Sequence, residues 1–364
     1  MTKKERVLKI SVCIVCVWCV VFSLVFPKAA SDAAFRALRL CAERVIPSLF
    51  LFIVSSKILL SCGVGKFFSF LTGGVLEKML CLSKSGSAAV ILGLLCGYPT
   101  GAVIISEAVL RGEMEEREAQ SILPFVTAAS PAFLAGTVGS ALFSSVSYGY
   151  LLMFSQTVSS IILLLATRKS RSQSAFSHKG EKSGEYLLPL LSRAVKEAGV
   201  SVIYVCSFIT FFCVLSQTVL HFIPCTGAVN ALVNGFFEIS GGFAALAQNE
   251  CTLFEKYFLG GAMLGFSGIS VFMQSASFIC ESGISMKKYA LGKCVQAVLC
   301  GAICLAVGTI FEKGAVDTAF SLFGVQAPKI LLGAEFALIS VLILALCLTF
   351  FALNLKIFRF FSKK

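Results

Sequence analysis

Histidine is nearly absent from this chain, with only His178 and His221 among 364 residues. Tryptophan occurs once, at Trp18, and charged residues make up 14% of the sequence. No HExxH, GxSxG or P-loop stretch is present, and no paired aspartates occur in the apolar runs. These shortages remove the usual groups for acid–base, zinc and nucleotide-driven chemistry. The chain is therefore expected not to be an enzyme, and to need neither cofactor nor metal. So little charge also excludes an ordinary soluble domain.

Apolar side chains take their place, at 57% of residues and a mean hydropathy of +0.90. Runs long enough to span a bilayer cover residues 7–26, 46–62, 87–110, 121–143 and 148–167. The second half adds 200–223, 258–280, 289–311 and 330–351. Roughly eight or nine hydrophobic segments result, some short enough to be re-entrant. The fold class that follows is an all-α polytopic membrane protein. The N-terminal run resembles a secretory signal, but its apolar stretch of about twenty residues exceeds a signal core. Lys28 also sits where a small residue would precede cleavage. A retained transmembrane helix is expected over residues 1–29.

Thirty-one basic residues against nineteen acidic ones give a net charge of +12. They gather at segment ends and in "RKSRSQSAFSHKGEKSGE", residues 168–185, which reads as a cytoplasmic linker under the positive-inside rule. Nucleic acid is not an expected partner; the bilayer is. Sixteen cysteines include Cys13, Cys16 and Cys19 in "CIVCVWC", but no second pair with zinc-like spacing accompanies them. They read as small helix-packing residues.

The chain repeats itself. "GYPTGAVIISEAVLRGEMEEREA" begins at Gly97 and "GISVFMQSASFICESGISMKKYA" at Gly268, an offset of 171 residues. Gly97 then pairs with Gly268, Ser106 with Ser277, Gly112 with Gly283 and Ala119 with Ala290. Upstream, "FLTGG" from Phe70 parallels "EISGG" from Glu238, and each half opens on an amphipathic segment. Glu113, Glu115, Glu116 and Glu118 follow the first block as a solvated turn; Lys287, Lys288 and Lys293 follow the second. If lysine marks the cytoplasmic side, the halves face opposite ways, as in inverted-repeat transporters. The domain plan is a first repeat over 30–167, a second over 186–358 that includes the last transmembrane helix, and a basic tail at 359–364.

Both repeat blocks interrupt an apolar run. Non-helical backbone survives in hydrocarbon only where protein or a water-filled cavity covers it. Gly97, Tyr98, Pro99, Thr100 and Gly101, with Ser106 nearby, therefore point to an interior solute site. Ser267, Gly268, Ser270, Gln274 and Ser277 are its counterparts in the second half. A third interruption, "LPFVTAASPAFLAGTVG", carries Pro124, Thr127, Ser130 and Pro131, and reads as a kinked helix or a re-entrant hairpin. Gly139, Ser140, Gly260 and Gly261 read as packing residues. Glu107 and Glu238 are carboxylates in apolar surroundings, either coupling groups or caps close to water.

At "CGYPTGA", "PFVTAASPAFLAGTVG", "FEISGG" and "GFSGISVFMQSASF" the chain resembles the YlbJ family of sporulation integral membrane proteins. That family carries the nucleoside-recognition or Gate domain, and the resemblance covers roughly residues 33–308. Where the family pattern is more polar ahead of the proline, this chain has Ala128 and Ala129. The resemblance implies transport of dipicolinic acid from mother cell to forespore, across the outer forespore membrane. The residues themselves reach only as far as a carrier or channel for a small polar solute. Two other readings stay open: a non-transporting assembly protein among sporulation membrane proteins, and a carrier of nucleoside-type solutes.

Overall fold

The computed structural model describes residues 3–61, 82–167, 187–280 and 282–312. The linker at 168–185, the "FLTGG" segment, the expected span at 330–351 and the tail at 359–364 lie outside the described residues. Every regular element among the described residues is a helix.

Helix α1 (Lys3–Val25) turns through 109° into α2 (Pro27–Leu40). Proline at the first helical position suits α2 but cannot extend α1, which places the corner at Phe26. Cys13 and Cys16, expected to pack, are instead exposed on α1. A π-helical turn, Cys41–Val45, leads to α3 (Ile46–Ser61). Then come α4 (Lys84–Cys96), α5 (Thr100–Leu110), α6 (Glu116–Val126), the π-helical α7 (Ala132–Leu142) and α8 (Val146–Ala166). The second half holds α9 (Leu187–Phe222), α10 (Gly227–Phe237), α11 (Ile239–Gln248), α12 (Leu253–Phe266), α13 (Gly268–Ile279) and α14 (Met286–Glu312).

Four described stretches are long and apolar enough to cross a membrane: Val146–Ala166, Leu188–Phe222, Leu253–Ile279 and Met286–Ile310. The bent pair α1–α2 raises the number to five. The protein is a multi-pass integral membrane protein. Residues 87–110 and 121–143, expected from sequence to be interrupted, are each two short helices divided at Gly97–Pro99 and at Thr127–Pro131. The amphipathic segment that opens the second half leads directly into a spanning run. It forms the first turns of α9, whose 36 residues extend about 54 Å and overreach a hydrocarbon core. There Ala194, Ala198, Val202 and Val205 pack with Cys41, Val45, Ile53 and Val54.

Lipid gives helices no hydrophobic reason to associate, so close packing of small residues does that work. Helices α12 and α14 show it most clearly. A methyl group on Gly261 would lie 2.7 Å from the Cys300 carbonyl and 2.9 Å from the Gly301 Cα. Gly260 likewise faces the Tyr148 hydroxyl, and Gly139 lies against Gly149. Replacing Gly261 by leucine should therefore lower stability by about 1–3 kcal/mol through overpacking. Gly136→Ala, at a position with nothing within 4 Å of an added methyl, should leave it unchanged. Thermal unfolding of the two variants in one detergent compares them directly.

Candidate functional site

The first interruption begins with a well-capped helix. Ser83 accepts the Gly86 N–H at 2.9 Å, and its own N–H donates to the Glu118 carboxylate at 2.7 Å. Glu118, expected in a solvated turn, is therefore buried over the start of α4. The helix ends where Gly97 takes φ +79°, a conformation that residues with a side chain rarely adopt. The Tyr98–Pro99 peptide is cis, and α5 starts at Thr100.

The third interruption is not a separate feature, because it is nested into the first. The Tyr98 N–H donates to the Ala128 carbonyl at 2.7 Å. A Cβ on Gly97 would meet the Ser130 nitrogen at 2.7 Å, and Gly93 and Gly101 lie directly against the Val126 carbonyl. Gln156 of α8 clamps the same strand from the other side. Its amide oxygen accepts the Ala129 N–H at 2.9 Å and its amide nitrogen donates to the Ala129 carbonyl at 3.0 Å. In the turn that breaks α6 from α7, the Ala128 carbonyl and both backbone groups of Ala129 are thus paired. Ala128 and Ala129 take part through their backbones alone.

Lys293 occupies the end of α6. Sequence reading placed it with Lys287 and Lys288 as a marker of the cytoplasmic side. Those two are exposed, but Lys293 is buried at 2% exposure. Its Nζ donates to the Thr127 carbonyl at 3.1 Å, the Pro124 carbonyl at 3.4 Å and Gln296 Oε1 at 2.9 Å. The physical reason is local: a broken helix leaves carbonyls unpaired at its C-terminus, where the dipole favours a cation. Gln296 passes the network to Ser160 at 2.9 Å, and the Tyr289 hydroxyl donates to Thr127 Oγ1 at 3.2 Å.

The second half repeats the nesting. Helix α12 starts on a capping box of Thr252 and Glu255 and ends at Ser267, φ +71°, followed by Gly268, φ +80°. A methyl group on Gly268 would meet the Gly235 carbonyl at 3.1 Å and the Ile239 nitrogen at 3.3 Å. Those residues flank Glu238, which separates α10 from α11 and accepts the Gly241 N–H at 2.7 Å. At 2% exposure, Glu238 is a cap that is also fully buried. The two glycine pairs at the 171-residue offset match closely in φ, +79° with +80° and, for Gly112 and Gly283, +71° with +72°. Rings connect the two nests, Tyr98 to Phe133 and Phe133 to Phe243, each pair at 6.4 Å between centroids.

Five side-chain polar atoms among the described residues are buried and have no hydrogen-bond partner: Ser87 Oγ, the Tyr98 hydroxyl, Thr100 Oγ1, Gln274 Oε1 and Ser275 Oγ. Most other residues singled out from sequence are occupied structurally. Ser106 donates to the Phe278 carbonyl at 2.6 Å and ties α5 to α13. Ser270 accepts from Gln274 Nε2 at 3.0 Å, Ser277 donates to the Gln274 carbonyl, and Ser267 to the Leu264 carbonyl. Ser130 caps Phe133, and Thr127 donates to the Leu123 carbonyl. Glu107 lies away from this interior, half-exposed in a cleft of about 220 Å³ with Lys57 at 3.7 Å and Arg111 at 3.1 Å. Lys293, Gln156 and Gln296 were not singled out. Each is a polar side chain inside a long apolar run, which is the signal that would have found it.

The chain is similar to the sporulation integral membrane protein YlbJ of Bacillus subtilis (strain 168). The two are 23% identical over 310 residues, 75% of this chain and 76% of that protein. The resemblance to the YlbJ family is borne out. No protein-family model matches the chain, nor does any solved structure. Most of the nested breaks fall in the part of the sequence that carried the resemblance to YlbJ proteins, so the clamp should matter to fold as well as site. Gln156→Leu would orphan both backbone groups of Ala129, each at about 1–3 kcal/mol. Its melting temperature should fall well below that of Ser277→Ala, which removes a hydroxyl bonded within its own helix and should be close to neutral.

Proposed function

We propose that the protein is a membrane carrier for a small anionic solute, with no enzymatic step, acting in spore formation. The observation that carries this reading is the pair of buried hydroxyl donors, Tyr98 and Thr100, left without acceptors where α5 begins. An unpaired buried polar group costs about 1–3 kcal/mol, so two within three residues of one break call for an absent partner. Two O–H donors beside a helix N-terminus fit an anion, because amide N–H groups and the helix dipole act in the same sense. Two interruptions, one in each half of the chain, fit the plan of inverted-repeat carriers, whose sites lie between the halves.

Dipicolinate is the leading solute. It is a small planar dianion, and the curated name of the similar protein places that relative in sporulation. Movement from mother cell to forespore, across the outer forespore membrane, completes the proposal. A second reading is favoured by one atom. Gln274 Oε1 is an acceptor without a donor, which a nucleoside's N–H or O–H would satisfy better than a carboxylate would.

Uptake by proteoliposomes tests these together, with dipicolinate and uridine supplied in parallel under several imposed ion gradients. Dipicolinate should accumulate with the native chain. Tyr98→Phe with Thr100→Val removes both hydroxyls at nearly constant shape. That variant should melt no lower than the native chain, yet lose about tenfold or more of its uptake, as expected for lost charge-assisted hydrogen bonds. Undiminished uptake by the variant would remove the site from this break. Uptake of uridine alone would replace the anion with a nucleoside, and uptake of neither would favour an assembly role alongside other sporulation membrane proteins.

A further inference from the structure

We infer that Lys293 is the charge-selecting residue of the solute site and that its ammonium is the counter-ion for a carboxylate of a two-fold anionic solute. The inference rests on the carrier reading above and adds to it the residue that distinguishes a dianion from a neutral molecule.

Lys293 is enclosed by acceptors that are all neutral: two backbone carbonyls and one side-chain amide. Among the described residues only two carboxylates are buried, Glu118 and Glu238. Each is held at the start of a helix, Glu118 by the Ser83 N–H and Glu238 by the Gly241 N–H. No described carboxylate forms an ion pair with Lys293. The negative end of α6 compensates a fraction of a unit charge at most. When protonated, Lys293 therefore puts a positive charge in the membrane interior, where such groups are expensive and face a partner or a pathway.

Capping alone does not explain that charge. A glutamine or serine could donate to the Pro124 and Thr127 carbonyls without carrying a charge into the membrane. What a neutral donor cannot supply is attraction for an anion. One of the three contacts is weak enough to exchange, since the Pro124 carbonyl stands at 3.4 Å, beyond the usual N–H···O range. An arriving carboxylate would take that place.

The ammonium and the break that carries the orphaned hydroxyls share one segment of backbone. Residues 126–128 face both groups: Thr127 holds Lys293, Val126 lies against Gly101, and Ala128 accepts the Tyr98 N–H. The same three residues thus contact both the ammonium and the break that carries two O–H donors at a helix N-terminus. Two anionic ends of one solute, one directed to each, match this pairing, and a rigid planar dicarboxylate has that form.

The test uses the full chain, solubilised, and three ligands of one shape: pyridine-2,6-dicarboxylate, pyridine-2-carboxylate and the uncharged pyridine-2,6-dicarboxamide. Affinity is read by calorimetry and by ligand-dependent melting. The native chain should bind the dicarboxylate about tenfold more tightly than the monocarboxylate and about a hundredfold more tightly than the diamide. Lys293→Met should bring the three affinities together, and Lys293→Arg should keep the order. Equal binding of diamide and dicarboxylate by the native chain would overturn the inference, a result that needs no variant to fold. A full preference for the dicarboxylate in Lys293→Met would overturn it too, while leaving the carrier reading in place. Binding of none of the three by the native chain would overturn both.

Discussion

The structure depends on one constraint: in hydrocarbon, every backbone N–H and C=O must find a partner within the protein. A helix meets it automatically, and a break does not. This chain breaks its helices repeatedly and meets the constraint by setting one break against another. The cap of α4 at Gly97 receives the strand that follows α6, and the turn at Ser267–Gly268 receives the joint at Glu238. What backbone cannot satisfy, polar side chains do. Gln156 takes both groups of Ala129, and Lys293 takes the carbonyls at the end of α6. The interior polar residues are therefore first a solution to a solvation problem, and the candidate site is what that solution leaves unpaired.

This view explains which parts of the molecule were legible in its sequence. Apolar runs and the absence of polar domains gave the class, because hydropathy follows directly from the bilayer. Glycine and proline gave the break positions, since Gly97 and Gly268 hold φ values that residues with a side chain resist. Pairing between breaks was not legible. Nothing in "PFVTAASP" states that its backbone will lie on "GYP", for that contact joins bare main chain to main chain and leaves no side-chain signature. Lys293 was misread for a related reason. Lysine usually marks the membrane surface, and only the carbonyls of a helix ending elsewhere in sequence make an interior position tolerable.

Glu238 and Glu107 show how little residue type decides alone. Both looked like intramembrane carboxylates. Glu107 lies on the side of α5 that meets Lys57 and Arg111 at a half-exposed cleft, where an ion pair is ordinary and contributes little. Glu238 lies at a helix N-terminus and exchanges solvent for amide N–H groups. The same side chain is a surface charge in one case and a buried cap in the other, and the difference is which helix ends nearby.

The two buried ionisable groups near the breaks then follow a common rule. Glu238 is at the N-terminus of α11, and Lys293 at the C-terminus of α6, so each faces the helix end whose dipole opposes its sign. Neither needs the other as a counter-ion, and among the described residues neither pairs with it. That separation has a consequence for mechanism. A salt bridge between them would have neutralised the interior and left a solute only hydrogen bonds to compete for. Groups held separately at helix ends are compensated only in part when ionised, and any field they then carry acts in a water-poor interior where such fields are strong. The breaks that create backbone demands thus also create the places where an uncompensated charge can be held ready for a solute.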